Sequence, residues 1–252
     1  MTFPAYLPVG PWSLHPHAVF EPLAYFVGAR LYFYRRRRDA TAPRLPLEAT
    51  LWLFIGCIFG AWAGSKVLAW VESPSHYFPL AADPRLLLGG KTIAGGILGG
   101  WLGIEIAKRA LHITHSTGDA FVWPLAVGTA LGRIGCFLSG LEDHTYGIAT
   151  DLPWAVDFGD GLSRHPTQLY ESTVVLLLAA GLTALSHRAR HPWTSGMSFR
   201  LYVGGYLFWR LGVEFLKPRE TWFLNLSAIQ LASIVGMIIV LVSLRRLARA
   251  PT

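Results

Sequence analysis

The sequence predicts an all-α integral membrane protein with about seven transmembrane helices, an outer N-terminus and a cytoplasmic C-terminus. Of its 252 residues, 52% are hydrophobic and 15% are charged, whereas a soluble domain carries roughly a quarter charged residues. The ten tryptophans suit side chains anchored at the two membrane interfaces. We therefore expect one polytopic membrane domain over residues 1–252, with an outer-face polar segment at about 140–167.

Seven apolar runs approach the ~20 residues that cross a bilayer. They cover about 18–34, 50–70, 92–111, 121–138, 168–185, 199–216 and 226–244. The second run has small residues at the spacing typical of membrane helix packing, namely Gly56, Gly60, Ala63 and Gly64. No cleavable signal peptide is expected, because residues 1–16 are rich in proline and aromatic residues and lack a basic start followed by an apolar core.

Basic residues in the connections set the predicted topology. They are concentrated after the first, third, fifth and seventh runs, at Arg35–Arg38, Arg44, Lys108, Arg109, Arg188, Arg190, Arg200, Arg245, Arg246 and Arg249. The other connections are sparser, with Arg85, Lys91, Arg164, Lys217 and Arg219. The positive-inside rule then places the N-terminus outside and the C-terminus in the cytoplasm. The net charge of +7 is thus mostly a topology signal, and nucleic-acid binding is not expected because no basic, aromatic-interleaved domain stands clear of the membrane.

Arg133 most needs an explanation, because it lies near the end of the fourth apolar run. A guanidinium in hydrocarbon costs at least about 2.5–3.5 kcal/mol. Gly132 and Gly135 beside it allow a backbone or a ligand to approach closely. One interpretation is an anionic-lipid phosphate site, since the planar guanidinium suits phosphate. The other is a structural arginine neutralised by a membrane glutamate, and this stretch alone leaves both open.

Two more polar groups lie toward the outer half of the predicted bundle. Residues 164–171 (RHPTQLYE) form the mouth of the fifth run. Arg210 and Glu214 lie four residues apart in the sixth run, so they share a helix face and can neutralise each other. If instead Arg133 and Arg210 face one another across the bundle, they form a cationic pocket that can bind an anionic phospholipid and stabilise a departing phosphate.

Glu21 and Glu105 are intramembrane carboxylates, and either is a candidate counter-ion for an arginine. Glu105 lies next to Lys108 and Arg109, which favours structural pairing over catalysis.

His165 and Cys136 are candidates for chemistry with equally simple structural alternatives. Histidine is the natural general base near neutral pH, but His165 precedes Pro166 and can serve only to shape the turn. Cys136 lies near Arg133, and a neighbouring cation favours the reactive thiolate. Most buried cysteines are nevertheless inert.

Four segments match one known family. They are residues 132–140 (GRIGCFLSG), 164–171 (RHPTQLYE), 210–215 (RLGVEF) and 89–96 (GGKTIAGG). Together they resemble, in order, the signature, the second hallmark, the second essential-arginine segment and the glycine-rich third-span entry of bacterial prolipoprotein diacylglyceryl transferases. The resemblance runs from about residue 47 to 230 with the span order intact.

The resemblance implies a seven-span transferase of lipoprotein biosynthesis in the bacterial plasma (inner) membrane, with its active site toward the outer face. Family members move the diacylglyceryl group of phosphatidylglycerol to the thiol of a lipobox cysteine in a lipoprotein precursor. A thioether forms, glycerol phosphate leaves, and no metal or cofactor takes part. The implied partners of this chain are phosphatidylglycerol, or another anionic phospholipid, and such a precursor.

The resemblance also implies residue roles. Arg133 and Arg210 match the arginines that hold the lipid phosphate, while Glu214 and Arg164 match supporting polar residues. The predicted catalytic residues are Arg133, Arg210, Glu214, Glu142 and His165. The predicted substrate-binding residues are Arg133, Arg164, Gln168, Tyr170, Glu171, Gly95 and Gly96.

Several positions depart from the family pattern. Ala94 stands where the family has a histidine proposed as the base. Cys136 and Ser139 replace asparagines of the signature, and Leu141 stands at the position of its glutamate, with Glu142 one residue later. The chain is therefore identified as a divergent member.

Without the family histidine, the base for transfer would be Glu21, Glu142 or His165. An alternative function is a non-catalytic anionic-lipid-binding or assembly protein that kept the pocket and lost the chemistry. A third is a small-solute transporter that uses arginine and glutamate in broken helices, which the absence of repeat symmetry between the two halves disfavours.

Overall fold

The computed structural model describes residues 2–38, 45–77, 89–189 and 193–249. It is mostly helical, as the sequence predicts. The helices are α1 (Pro16–Arg38), α2 (Leu47–Glu72), α3 (Pro74–Tyr77), α4 (Ile93–Ala110), α5 (Val122–Ser139), α6 (Thr167–Arg188), α7 (Met197–Val213) and α8 (Ala228–Arg249). Short 3₁₀ turns cover Asp119–Phe121, Gly140–Asp143 and Glu214–Leu216, and the strands are β1 (Leu7–Val9), β2 (Trp12–Leu14), β3 (Val156–Asp157) and β4 (Ser163–Arg164).

Seven helices in the described ranges have 17 or more residues, and each overlaps one predicted apolar run. Four helical stretches are both long and apolar enough to cross a membrane: Leu47–Glu72, Asp119–Asp143, Thr167–Arg188 and Ala228–Arg249. The predicted helical membrane fold is thus confirmed, while the number of spans and the orientation of the termini stay predictions. Of the residues used for the topology, Arg44, Arg85 and Arg190 lie outside the described residues.

Helix α1 runs on through the four arginines that we expected to end it near Tyr34. Arginine is a good helix former, and cations are favourable in the last turn of a helix. The polar run therefore ends the apolar segment without ending the helix.

The chain forms two compact units, which are described separately. The first comprises Met1–Ala40 and Gly118–Pro218, the second Thr41–Thr117 and Arg219–Thr252. A single polytopic domain stays a prediction. In the first unit α5 packs against both α1 and α6, and α6 also packs against α7. Its core includes the fully buried side chains of Val175, Tyr202, Tyr206 and Leu207.

The polar segment between α5 and α6 is tied to the helix ends of the first unit. Antiparallel β3 and β4 pair Val156 with Arg164. The Ile148 amide donates to the Leu216 carbonyl at 2.8 Å, and the Thr167 hydroxyl donates to the Thr145 carbonyl at 2.7 Å. These bonds hold the segment against the start of α6 and the end of α7.

In the second unit, α2 and α4 cross with three facing glycine pairs: Gly56 with Gly103, Gly60 with Gly99, and Gly64 with Gly95. A Cβ added at any of these six positions would lie inside van der Waals contact with the partner's carbonyl oxygen. Close backbone approach at small residues is typical of membrane helix pairs. The predicted packing role of Gly56, Gly60 and Gly64 is confirmed.

On α2, the side chains of Ile55, Phe59 and Trp62 are more than half exposed, as expected for a helix face that meets lipid.

Replacing Gly99 by alanine should destabilise the second unit by about 1–3 kcal/mol, because its Cβ overlaps the Gly60 backbone. Gly96→Ala on the same helix is the matched control, since its Cβ would meet only ordinary contacts with Ala61 and Ser65. Thermal unfolding in detergent measures both variants. Equal stability of the two would contradict the packing interpretation.

Candidate active site

A single buried carboxylate, Glu171, joins the two arginines that the sequence singles out. Its Oε2 lies 2.9 Å from Arg133 NH2 and 3.3 Å from Arg210 NH1, and its Oε1 accepts a hydrogen bond from the Tyr206 hydroxyl at 3.0 Å. Arg210 NH2 lies 2.8 Å from Glu214 Oε2, so the predicted pair four residues apart is confirmed. We call Arg133, Glu171, Arg210 and Glu214 the arginine cluster.

The helices place these charges where the backbone supports them. Glu171 lies near the start of α6, and Arg210 lies in the last turn of α7. Carboxylates are favourable near helix N-termini and cations near C-termini. The Ser172 hydroxyl donates to the Ala130 carbonyl at 3.1 Å, which fixes α6 beside the turn of α5 that precedes Arg133.

The structural interpretation of Arg133 is confirmed, while the anionic-lipid phosphate site stays a prediction. Arg133 is neutralised by a membrane glutamate, Glu171, rather than by Glu21 or Glu105, the counter-ions we considered. Glu105 Oε1 lies 3.1 Å from Lys108 Nζ, so the predicted structural pairing of Glu105 is confirmed.

Arg133 nevertheless keeps donors for a ligand. Its buried Nε has no hydrogen-bond partner in the part of the chain that the structure describes. Its NH1 lies 3.8 Å from the Cys136 sulfur, a weak acceptor. A buried guanidinium N–H without a partner is costly. Binding of an anion that accepts a hydrogen bond from it would remove that cost. Adjacent Gly132 has open space where a Cβ would be.

Gln168 lies one turn before Glu171 on α6, and its side chain is fully buried. Neither of its amide atoms has a hydrogen-bond partner among the described residues. Buried amides normally find partners. This residue therefore offers both a donor and an acceptor to a bound molecule.

Lys217 is a buried cation that the sequence reasoning missed as a site residue. It follows the 3₁₀ turn after α7 and is 7% exposed. Its pKa is lowered to about 7, because burial disfavours the ammonium form and the nearby Arg210 and Arg133 repel it. The arginine cluster has two positive and two negative groups, so protonated Lys217 makes the site cationic by one charge.

Arg164, His165 and Tyr170 form a second group at the start of α6. Arg164 forms an ion pair with Asp160, which lowers the pKa of that carboxyl, and its guanidinium lies 4.9 Å from the Tyr146 ring. His165 Nδ1 lies 3.2 Å from the Tyr170 hydroxyl. The His165 backbone also forms hydrogen bonds with Gly147 and Ile148. His165 thus shapes the turn before α6, which was the structural alternative to a role as base.

Histidines of the first unit's N-terminal segment meet acidic residues after α5 in a third group. His15 Nε2 lies 3.3 Å from Glu142 Oε2, and His17 Nε2 lies 2.6 Å from Asp143 Oδ1. Glu142 is well exposed, with a side-chain accessibility of 59%. The pairing of His17 with Asp143 joins residues 126 apart, for which the sequence has no local signal.

Gly95 and Gly96 lie in the second unit, in the first turn of α4. Gly95 packs against the Gly64 carbonyl. Ala94, at the position of the family histidine, is fully buried in the same turn. A substrate-binding role for the two glycines stays a prediction.

Comparisons with known proteins identify the family of the chain. A family model described as prolipoprotein diacylglyceryl transferase matches residues 4–246. Three relatives are named phosphatidylglycerol–prolipoprotein diacylglyceryl transferase. The protein from Synechococcus elongatus is 29% identical, over 93% of this chain and 83% of its own length. Those from Bordetella bronchiseptica and Brucella ovis are 30% identical, over 89% and 87% of this chain and 86% and 82% of their own lengths. The chain, a multi-pass membrane transferase, therefore belongs to the prolipoprotein diacylglyceryl transferase family.

Proposed function

We propose that this protein moves the diacylglyceryl group of phosphatidylglycerol to the thiol of a lipobox cysteine in a lipoprotein precursor. The observation that carries the proposal is the arginine cluster. In it Arg133 and Arg210 share Glu171, while the Arg133 Nε has no partner among the described residues. The names of the relatives support the same reaction.

In this proposal Arg133 binds the lipid phosphate and Arg210, held by Glu171 and Glu214, adds positive potential beside it. The acceptor sulfur attacks the carbon of the diacylated glycerol that is bonded to the phosphate oxygen. A C–S bond forms and the C–O bond breaks. Glycerol phosphate leaves with the electron pair, stabilised by the guanidinium groups. The thiol proton passes to Glu21, Glu142 or His165.

The protein would cross the bacterial plasma (inner) membrane seven times, with the N-terminus and the site at the outer face. Positive-inside topology supports this orientation, since the polar segment at 140–167 then lies outside. Arg164, Gln168 and Tyr170 would position the lipid or the acceptor at the mouth of α6.

The experiment is a transfer assay with purified protein in detergent, labelled phosphatidylglycerol and a lipobox-cysteine peptide. We expect a labelled thioether product and released glycerol phosphate, and no product with a peptide that has serine for cysteine. Lipid binding without product would mean a non-catalytic lipid-binding protein. Substrate uptake into sealed vesicles would instead indicate a transporter.

Lipid affinity should depend on pH through Lys217. Its pKa of about 7 means that the site carries one net positive charge below that pH and none above. The anionic phosphate favours the protonated form, so affinity should fall by about tenfold, or 1.4 kcal/mol, as pH rises through 7.

Phosphatidylglycerol binding at about pH 6 and about pH 8 measures this dependence in detergent. Lys217→Arg should bind tightly at both pH values, because arginine stays charged. Lys217→Met should bind weakly at both. If Lys217→Met kept the pH dependence of the wild-type protein, a group other than Lys217 would be its cause.

A further inference from the structure

Gln168 is a buried amide whose hydrogen-bonding groups the fold does not use. It lies in the first turn of α6, and its side chain has 0% exposure. Neither its Oε1 nor its Nε2 has a hydrogen-bond partner in the described ranges. Leaving a buried amide unpaired costs free energy, and buried polar groups of native proteins nearly always have partners. A ligand that both donates and accepts hydrogen bonds would complete this side chain.

A second buried glutamine, Gln230, provides a structural comparison. It lies on α8 in the second unit and is also fully buried. Its Oε1 accepts hydrogen bonds from the Ser227 amide at 2.9 Å and from Arg219 NH1 at 3.4 Å. These bonds tie the first turn of α8 to the segment before it. The side chain of Gln168 has no such role within the part of the chain that the structure describes.

The Gln168 amide lies beside the arginine cluster. Residues three apart share a helix face, with Cβ atoms about 5–6 Å apart, so Gln168 is a neighbour of Glu171. The Glu171 carboxylate lies 2.9 Å from Arg133 NH2. The Ser172 hydroxyl donates to the carbonyls of Gln168 and Ala130, each at 3.1 Å. This turn of α6 therefore packs against the turn of α5 that precedes Arg133, and one small ligand can reach both Arg133 and Gln168.

The unpaired groups define the chemistry of that ligand. The Nε of Arg133 is a charged donor without a partner among the described residues, which suits a phosphate oxygen. The Gln168 amide presents a donor and an acceptor side by side. Hydroxyls on adjacent carbons match that pair, because one oxygen can accept from Nε2 while the other hydroxyl donates to Oε1. A phosphate ester of glycerol has both features, with the phosphate on one carbon and hydroxyls on the next two.

Other phospholipid head groups match these residues less well. The ammonium of ethanolamine only donates, so it leaves the Gln168 Nε2 unpaired. Its positive charge is also repelled by Arg133 and Arg210. Phosphatidic acid has no head-group hydroxyls and leaves both amide atoms unpaired. A site that hydrogen-bonds a hydroxyl rejects analogues that lack it strongly, because its own buried groups then stay unpaired.

We propose that the Gln168 amide binds the two free hydroxyls of the phosphatidylglycerol head group and so selects this lipid over other phospholipids. The proposal rests on the transfer function above, and it adds the residue that recognises the head group rather than the phosphate. Arg133 holds the phosphate while Gln168 holds the glycerol beyond it. Both contacts persist when the C–O bond breaks, so the leaving glycerol phosphate stays bound by the same residues.

Phosphatidylpropanol is the probe that isolates the hydroxyls, since it has the charge and nearly the size of phosphatidylglycerol but a propyl head group. Competition between the two lipids for the full-length protein in detergent measures the preference. We expect the wild-type protein to prefer phosphatidylglycerol by about 10–100-fold, the range for a buried polar group that is otherwise left unpaired. Equal affinities would overturn the proposal, and this comparison needs no variant.

Gln168→Met keeps the volume of the side chain and removes both polar atoms. It should bind the two lipids with equal affinity, through weaker binding of phosphatidylglycerol. Gln168→Asn keeps an amide on a shorter side chain, so its preference should be intermediate. A preference in Gln168→Met as large as that of the wild-type protein would overturn the proposal.

Thermal unfolding of the lipid-free protein distinguishes a binding role of Gln168 from a structural one. Gln168→Met should unfold at a temperature no lower than the wild-type protein, because it removes an amide without partners among the described residues. Gln230→Met is the matched control. It should lower the unfolding temperature, because it removes the bonds to Ser227 and Arg219, and it should keep the lipid preference. A loss of stability in Gln168→Met as large as that in Gln230→Met would overturn the binding role.

A parallel transfer assay separates this proposal from the function on which it rests. Transfer that prefers phosphatidylglycerol in the wild-type protein but not in Gln168→Met supports both. Transfer with equal kcat/KM from phosphatidylglycerol and phosphatidylpropanol overturns the head-group site and leaves the transferase function standing. Selective binding that depends on Gln168, without transfer to the lipobox peptide, supports the head-group site and overturns the transferase function.

Discussion

Replacing Arg133 by alanine should lower the rate of diacylglyceryl transfer by on the order of 10²–10³-fold, the cost of losing a key electrostatic donor. The Arg133 Nε lacks a partner among the described residues, whereas both terminal nitrogens of Arg210 lie against carboxylates. Binding of the lipid phosphate should therefore depend more on Arg133 than on Arg210. Initial rates with labelled phosphatidylglycerol measure the loss.

Two controls accompany Arg133→Ala. Arg133→Lys keeps the charge but loses the planar fork that binds phosphate in two places, so its rate should fall between those of wild type and Arg133→Ala. Arg35→Ala, at the exposed end of α1, should leave the rate unchanged. Wild-type turnover in Arg133→Ala would remove the lipid-phosphate role.

Replacing Glu171 by glutamine should destabilise the protein by about 3–5 kcal/mol, because removing one partner leaves uncompensated buried charge. Two arginines share this carboxylate, and its side chain is fully buried. The glutamine amide has nearly the same shape and can still accept a hydrogen bond from the Tyr206 hydroxyl. The loss of stability therefore reports mainly the loss of the negative charge. Thermal unfolding in detergent gives the shift.

Two other carboxylates calibrate the Glu171 result. Glu214 contacts Arg210 only among the ion pairs described, so Glu214→Gln should cost less than Glu171→Gln. Glu105 is partly exposed and pairs only with Lys108 among the ion pairs described, so Glu105→Gln should cost less than Glu171→Gln. A cost for Glu171→Gln no greater than that for Glu105→Gln would show that the cluster is not held by this charge.

The helices were predictable because their signal is local. Each apolar run in the sequence overlaps a helix, since the bilayer requires about 20 apolar residues in a row and a lone membrane segment satisfies its own backbone only as a helix. The ends were less predictable. Residues 35–38 extend α1 because a helix tolerates charge that hydrocarbon excludes. Strands β3 and β4 have two residues each, too few for an alternating pattern.

The parts of the candidate site were also predictable, but their partnerships were only partly so. An arginine inside an apolar run is costly, which singled out Arg133 and Arg210, and spacing by four correctly paired Arg210 with Glu214. Spacing says nothing about pairs between helices. The sharing of Glu171, and the approach of His17 to Asp143, arise only when the helices pack.

Hydropathy and charge are properties of individual residues, so the sequence is enough to predict a helical membrane protein whose arginines need anionic partners. The packing of the helices sets which anions those are, and it buries Lys217 close to them. It also brings a cysteine, a histidine and an aspartate to one point. These facts depend on contacts between residues far apart in the chain. The free energy of these contacts comes from the desolvation of the charged groups and from the short distances between them. Both arise only when the chain folds.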